Sequence, residues 1–128
     1  MSAMTTKKRL KAMVVDDTVF YRKIVSDALA AIPEVEVVGT ANNGKIALSR
    51  IATLQPDLIT LDIEMPEMTG LEVLAAIKER SLNVAVVMLS SLTQQGSDMT
   101  IKALELGAFD FLPKPNAGSF EANKKAVD

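Results

Sequence analysis

Short apolar runs alternate along this chain with stretches in which apolar residues recur every three or four positions. The first run, Leu10-Lys11-Ala12-Met13-Val14-Val15, reads as a strand over roughly 10–15. Residues 18–32 follow with Phe20, Ile24 and Ala28, and Val25, Leu29 and Ile32, at helical spacing. Thr18 is placed to cap that helix and Pro33 to end it. Val35-Glu36-Val37-Val38 reads as a second strand and Asn42-Asn43-Gly44 as a turn. Ala47, Leu48, Ile51 and Leu54 mark a helix over 45–54, and Pro56 precedes a strand at Leu58-Ile59-Thr60-Leu61. The loop from Met65 to Gly70 leads into a helix with Leu71, Leu74 and Ile77 on one face. A fourth strand is expected over 84–89. A helix over about 97–106 uses Ile101, Ala103 and Leu104, with Gly107 just past its end. The last strand is expected over about 109–113. This alternation predicts an α/β fold with a parallel sheet and right-handed crossovers.

The polar residues that follow the strands carry the chemistry. Asp16-Asp17 follow the first, Asp62 the third, Ser90 the fourth and Lys114-Pro115 the fifth. In an open parallel sheet these positions gather at the carboxyl edge, where such folds bind ligands. Three carboxylates, a hydroxyl and an ammonium suit a hard divalent cation together with a phosphoryl group. Magnesium takes oxygen ligands, usually one or two carboxylates plus phosphate oxygens. Carboxylates this close repel one another, and a cation or a protonated Asp relieves that. A carboxylate can also act as a nucleophile and form an aspartyl-phosphate. Asp62 is the natural candidate, with Asp16 and Asp17 holding the metal. Lys114 supplies a point charge for a phosphoryl oxygen and Ser90 a hydroxyl donor. Each element alone is ordinary, since acidic pairs cap helices, Ser commonly does the same and Lys-Pro is a common surface dipeptide. The weight lies in four such placements on four strands.

Composition narrows the picture. The 128 residues make one domain by length, 48% hydrophobic and poor in aromatics, so the core must be aliphatic. A net charge of -2 gives no electrostatic footprint for nucleic acid. Lys7-Lys8-Arg9-Lys11 reads as a solvated terminus. The chain has no Cys, which excludes disulfides and thiolate metal sites. It has no His, which excludes a Ser-His-Asp triad and His-ligated metal within it. Any histidine that handles phosphoryl groups here belongs to another protein. The longest apolar run, 84–89, is far short of a membrane span, and the first residues are not a secretion signal. The expectation is a cytoplasmic chain.

The motifs Val14-Val15-Asp16-Asp17, Leu61-Asp62-Ile63-Glu64-Met65-Pro66, Gly70, Ser90 and Lys114-Pro115 resemble those of the receiver domain of two-component response regulators. The resemblance runs from about residue 9 to residue 116 or beyond. It implies a flavodoxin-like (βα)5 three-layer sandwich with parallel strand order 2-1-3-4-5. It implies that Asp62 accepts phosphate from a kinase histidine. It implies Mg²⁺ bound by Asp17, Asp62 and the Glu64 backbone carbonyl, with Asp16 assisting through water. Ser90 and Lys114 would contact the phosphoryl group, and the Lys114–Pro115 bond would be cis. Phe111 takes the place of a Tyr common in the family, whose ring turns inward on activation; Phe can pack there but cannot donate a hydrogen bond. Thr69 stands where many receivers have Asp. Glu64 and Leu92 occupy positions that tune phosphate lifetime, and Leu92 is expected to hinder water attack. The expected organisation is a flexible terminus at 1–8, a receiver over 9–118, and the start of a fifth helix or a linker over 119–128.

Three further segments, Val37 to Gly44, Met88 to Thr93 and Ala103 to Phe111, resemble the chemotaxis protein-glutamate methylesterase. In that family an N-terminal receiver masks a C-terminal esterase domain until phosphorylated, and the esterase demethylates or deamidates glutamyl sites on chemoreceptors. This chain is then expected to be the regulatory part. Its partners would be a chemotaxis histidine kinase, the methylesterase domain and, indirectly, chemoreceptors. Other readings remain. One is a stand-alone or DNA-binding response regulator. Another is a Mg²⁺-dependent phosphatase or phosphotransferase, which needs a substrate cap that short loops do not provide. A third is a flavodoxin-like cofactor binder, disfavoured because Asp16-Asp17 would repel its phosphate.

Overall fold

The computed structural model describes residues 8–90 and 98–114. Nine elements alternate: β1 (Leu10–Val15), α1 (Val19–Ala30), β2 (Val35–Ala41), α2 (Gly44–Leu54), β3 (Leu58–Asp62), α3 (Gly70–Glu79), β4 (Ala85–Ser90), α4 (Asp98–Glu105) and β5 (Asp110–Pro113). The strands form one parallel sheet in the order β2-β1-β3-β4-β5. The expected fold and strand order are both present. The expected fifth helix at 119–128 lies outside the described residues.

Strand alternation divides the core into two layers, because successive side chains point to opposite faces. Met13 and Val15 of β1 join Ile59, Leu61, Val86, Met88 and Phe111 on one face. There they meet Ala47, Leu48 and Ile51 of α2, Val73, Leu74 and Ile77 of α3, and Ala103 of α4. Val14 and Leu89 point the other way and pack with Val25 of α1, with Leu29, Val37 and Val87 beside them. The central strands are buried on both faces, which is why they read as unbroken apolar runs.

The helix boundaries follow local chemistry. Thr18 caps α1 by accepting the Tyr21 N–H. Asn43, expected inside a turn, is instead the cap of α2 and accepts the Ile46 N–H at 2.8 Å. Thr69 and Glu72 form a reciprocal capping box at the start of α3. Thr serves as an N-cap as Asp does, so Thr69 keeps the helix start although it departs from the motif the chain resembles. After α4, Gly107 adopts φ +100°, the Gly107 N–H reaches Leu104 O, and the Ala108 N–H reaches Ala103 O. This is a Schellman closure, and glycine fits it without strain.

Three expectations need correction. Strand β2 runs on through Gly39 to Ala41, with a register shift against β1 between Ala12 and Met13. Helix α1 ends at Ala30, and only Ile24 and Val25 of its expected apolar set are buried. Phe20 is 54% exposed because it lies in the first turn, beyond the last residue of β1, and Ile32 falls past the helix end. In α4, Ala103 is buried while Ile101 and Leu104 stay exposed. A small side chain makes the contact there.

Gly70 couples the fold to the carboxyl edge. Its N–H donates to Ile63 O at 2.8 Å. A Cβ built on Gly70 would lie 2.2 Å from the Asp62 carbonyl oxygen and 2.8 Å from Ile63 Cα. Those are backbone atoms, and they cannot move without moving Asp62. Gly70→Ala is expected to lower unfolding free energy by about 1–3 kcal/mol, the usual range for overpacking, read from urea denaturation. An unchanged midpoint would show that the Asp62 backbone yields freely.

Candidate functional site

Each strand delivers its polar group by ending. Hydrogen bonds continue the ladder one step beyond the strands, from Asp16 N to Ala41 O, Ile63 N to Leu89 O and Lys114 N to Ser90 O. The edge is therefore rigid up to the functional residues. Asp62 pairs in register with Leu89, and Ser90 with Pro113, so Ser90 stands one residue and Lys114 two residues beyond the level of Asp62. Asp16, Asp62 and Ser90 are all buried.

Lys114 joins the two buried carboxylates. Its Nζ lies 3.0 Å from Asp16 Oδ2 and 3.1 Å from Asp62 Oδ2. The other oxygens are held by local donors. Asp16 Oδ1 accepts from Thr18 N at 2.9 Å and Thr18 Oγ1 at 3.0 Å. Asp62 Oδ1 accepts from Glu64 N at 3.3 Å. Arg22 Nη1 donates to Asp16 O at 2.9 Å and fixes the backbone behind it.

Burial pushes the Asp62 carboxyl up to about 6, with the Asp16 charge adding to it and Lys114 and the Glu64 N–H opposing. For Lys114, burial works against the ammonium. The Asp16 and Asp62 carboxylates outweigh it and hold the pKa above that of an ordinary lysine.

These residues fit a hard divalent cation. One carboxylate oxygen each from Asp16, Asp17 and Asp62 lies within 4.8 Å of the others, and Asp17 is not buried. Oppositely placed ligands on magnesium stand about 4 Å apart, which is the same scale. Asp16 Oδ2 and Asp62 Oδ2 are buried and have no well-directed hydrogen bond among the described residues, only the ammonium. Three carboxylates against one ammonium leave a formal excess of two negative charges, which one divalent cation balances.

The sequence-derived set is thus largely assembled. Asp16, Asp17, Asp62 and Lys114 converge. Ser90 closes β4 beside them. Glu64 sits in the following turn with its N–H on Asp62. Phe111 is 8% exposed and packs into the larger core layer, pairing in register with Met88. Pro115, and with it the expected cis bond, and Leu92 lie outside the described residues. Two contributors were not legible. Thr18 was read as a cap only, yet its hydroxyl also holds Asp16. Tyr21 had no assigned role, yet its ring lies under Lys114 Nζ, 4.3 Å from the centroid. Both follow Asp17 within four residues, but a contact to β5 has no sequence signal.

The fold and site define a class: a doubly wound domain with an acidic, lysine-bridged pocket at its carboxyl edge. A family model described as the response regulator receiver domain matches residues 12–122, and the chain belongs to that family. It is 58% identical over 120 residues to the protein-glutamate methylesterase/protein-glutamine glutaminase of Desulfotalea psychrophila, covering 94% of this chain and 33% of that protein. The chain therefore spans about a third of the length of the curated relatives it matches. The response regulator domain of Thermotoga maritima CheB superposes with TM-score 0.81 at 36% identity, covering 94% of this chain and 92% of that one. A chain of the CheX-CheY-BeF3-Mg+2 complex from Borrelia burgdorferi is also similar, with TM-score 0.78 and 27% identity over 97% of this chain and 92% of that chain. Among the described residues no helix is long and apolar enough to cross a membrane.

The Asp62 shift has a definite sign. A carboxyl that titrates at about 6 when folded, against an ordinary 3.8, contributes stability that is fully present below 3.8 and lost as pH rises through about 6. In EDTA at pH 7.5, Asp62→Asn should therefore be more stable than wild type by about 1–2 kcal/mol. The gap should close as pH falls toward 4. Urea unfolding across pH measures it, and a gap independent of pH would contradict this electrostatic account.

Proposed function

We propose that this chain is the phosphorylation-controlled receiver of a chemotaxis protein-glutamate methylesterase, working in the cytoplasm. It takes a phosphoryl group on Asp62 from a chemotaxis histidine kinase. The observation that carries this reading is the placement of Asp62: buried at the end of β3, bound by Lys114, with two further carboxylates beside it. A donor histidine on a partner is consistent with a sequence that holds no histidine of its own.

The step is a displacement at phosphorus. An Asp62 oxygen forms the new O–P bond as the N–P bond of the donor phosphohistidine breaks. The imidazole nitrogen keeps that electron pair and takes up a proton. Bound Mg²⁺, held by Asp16, Asp17, Asp62 and the Glu64 carbonyl, would neutralise charge developing on the phosphoryl oxygens. The Lys114 ammonium shifts from the Asp62 carboxylate to a phosphoryl oxygen. Ser90 donates its hydroxyl to another. Desolvation at the strand ends strengthens both contacts.

Phosphorylation then acts as a population shift. The phosphoryl group gives Lys114 and Ser90 a new anionic partner, which biases the carboxyl edge of the sheet around them. Phe111, packed inward, follows by packing alone. Ile101, Leu104, Phe109 and Leu112 stand exposed around α4 and β5, and this apolar surface is where the regulated methylesterase domain would rest. The esterase in turn acts on chemoreceptors, so this chain reaches them indirectly.

Kinase carrying labelled phosphohistidine tests the reading. With Mg²⁺ the label should pass to wild type and remain on the kinase when Asp62→Asn is supplied. Label appearing on Asp62→Asn, or never leaving the kinase in the presence of wild type, would overturn the assignment.

A further inference from the structure

The Tyr21 ring is not part of the carboxylate–lysine pocket as read from the strand ends, yet it is built into it. A closed circuit of contacts runs through Asp16. Thr18 N and Oγ1 donate to Asp16 Oδ1 at 2.9 and 3.0 Å. The Tyr21 N–H donates to Thr18 Oγ1 at 3.2 Å. The Tyr21 ring sits 4.3 Å from Lys114 Nζ, and that Nζ returns to Asp16 Oδ2 at 3.0 Å. The Phe20 ring braces Tyr21 from the side, edge to face, at 5.4 Å between centroids and 72° between planes. The cap of α1 therefore fixes an aromatic face against the one ammonium that bridges the site.

We infer that Tyr21 is a positioning residue for Lys114: its ring holds the ammonium over Asp62 by a cation–π contact and keeps it there as the lysine passes from carboxylate to phosphoryl oxygen. The inference rests on the reading of Asp62 as phosphoacceptor. A flexible four-carbon stem gives lysine many rotamers, and only some place Nζ where a phosphoryl oxygen arrives. Carboxylates alone would anchor it to the ground state, since both Oδ2 contacts are strongest before the charge on Asp62 is used. An aromatic face differs in that its attraction does not change during transfer. It biases the lysine toward the site without competing for the same lone pairs. The Lys114 side chain is only 14% exposed, so little water competes for its charge. Cation–π attraction is strengthened by such desolvation. The tyrosine hydroxyl has no part in this, so the ring alone should suffice.

Three substitutions separate the possibilities: Tyr21→Phe, Tyr21→Trp and Tyr21→Leu. The phosphorylation rate with phosphoramidate is followed by intact mass at saturating Mg²⁺. In parallel, the Lys114 ε-methylene protons are read by NMR without metal, where an aromatic face shifts them upfield. Tyr21→Leu should slow phosphorylation about three- to tenfold and abolish the upfield shift. Tyr21→Phe and Tyr21→Trp should keep both near wild type. A Tyr21→Leu rate equal to wild type would overturn the positioning role, as would Tyr21→Phe slowing as much as Tyr21→Leu. If wild type itself gains no phosphoryl group while its Lys114 shift is intact, the Asp62 reading fails, and this role with it. That outcome differs from a phosphorylated wild type with an indifferent Tyr21→Leu.

Discussion

Two buried carboxylates, Asp16 and Asp62, share one ammonium, and much else in the chain serves to keep that arrangement in place. Burying a charge is costly unless it is paired and hydrogen-bonded. Here the balance is deliberately incomplete. Thr18 satisfies one oxygen of Asp16 and the Glu64 N–H one oxygen of Asp62, while the two Oδ2 atoms share Lys114. The result is a pocket with excess negative charge and a carboxyl pushed to about 6. Such a site gains from any partner that brings positive charge and then accepts oxygen ligands. A divalent cation with a phosphoryl group does both.

The rest of the fold supplies the rigidity this needs. The sheet is covered on both faces, so its strands cannot slide without breaking the aliphatic layers around Met13, Ile59, Leu61 and Met88. Hydrogen bonds extend one step past β1, β3 and β5, so the polar residues are held by the last rungs of the ladder. Gly70 lies against the Asp62 backbone from the side of α3. Stability is given up at the site and recovered in the layers beneath it.

The strands were legible because parallel strands buried on both faces leave unbroken apolar runs. The residues after them were legible because topology alone gathers strand ends. Asp16, Asp17, Asp62, Ser90 and Lys114 needed no knowledge of side-chain packing. What was hidden depended on tertiary contact. Phe20 fits a helical stripe but lies where no strand remains to cover. Asn42-Asn43-Gly44 carries turn residues, yet Asn43 is a cap, since one composition serves both purposes. Gly70 was visible as a motif residue, but its closeness to Asp62 was not. Tyr21 contacts a lysine 93 residues further along the chain (114 − 21), and nothing in local spacing announces that.

The central claim is that this pocket makes Asp62 the chain's phosphoacceptor. Intact mass after acetyl phosphate, with and without Mg²⁺, tests it most directly. The account predicts a single gain of about 80 Da in wild type, dependent on Mg²⁺ and absent from Asp62→Asn. A folded wild type that gains nothing, or an Asp62→Asn chain that gains the same mass, would contradict it.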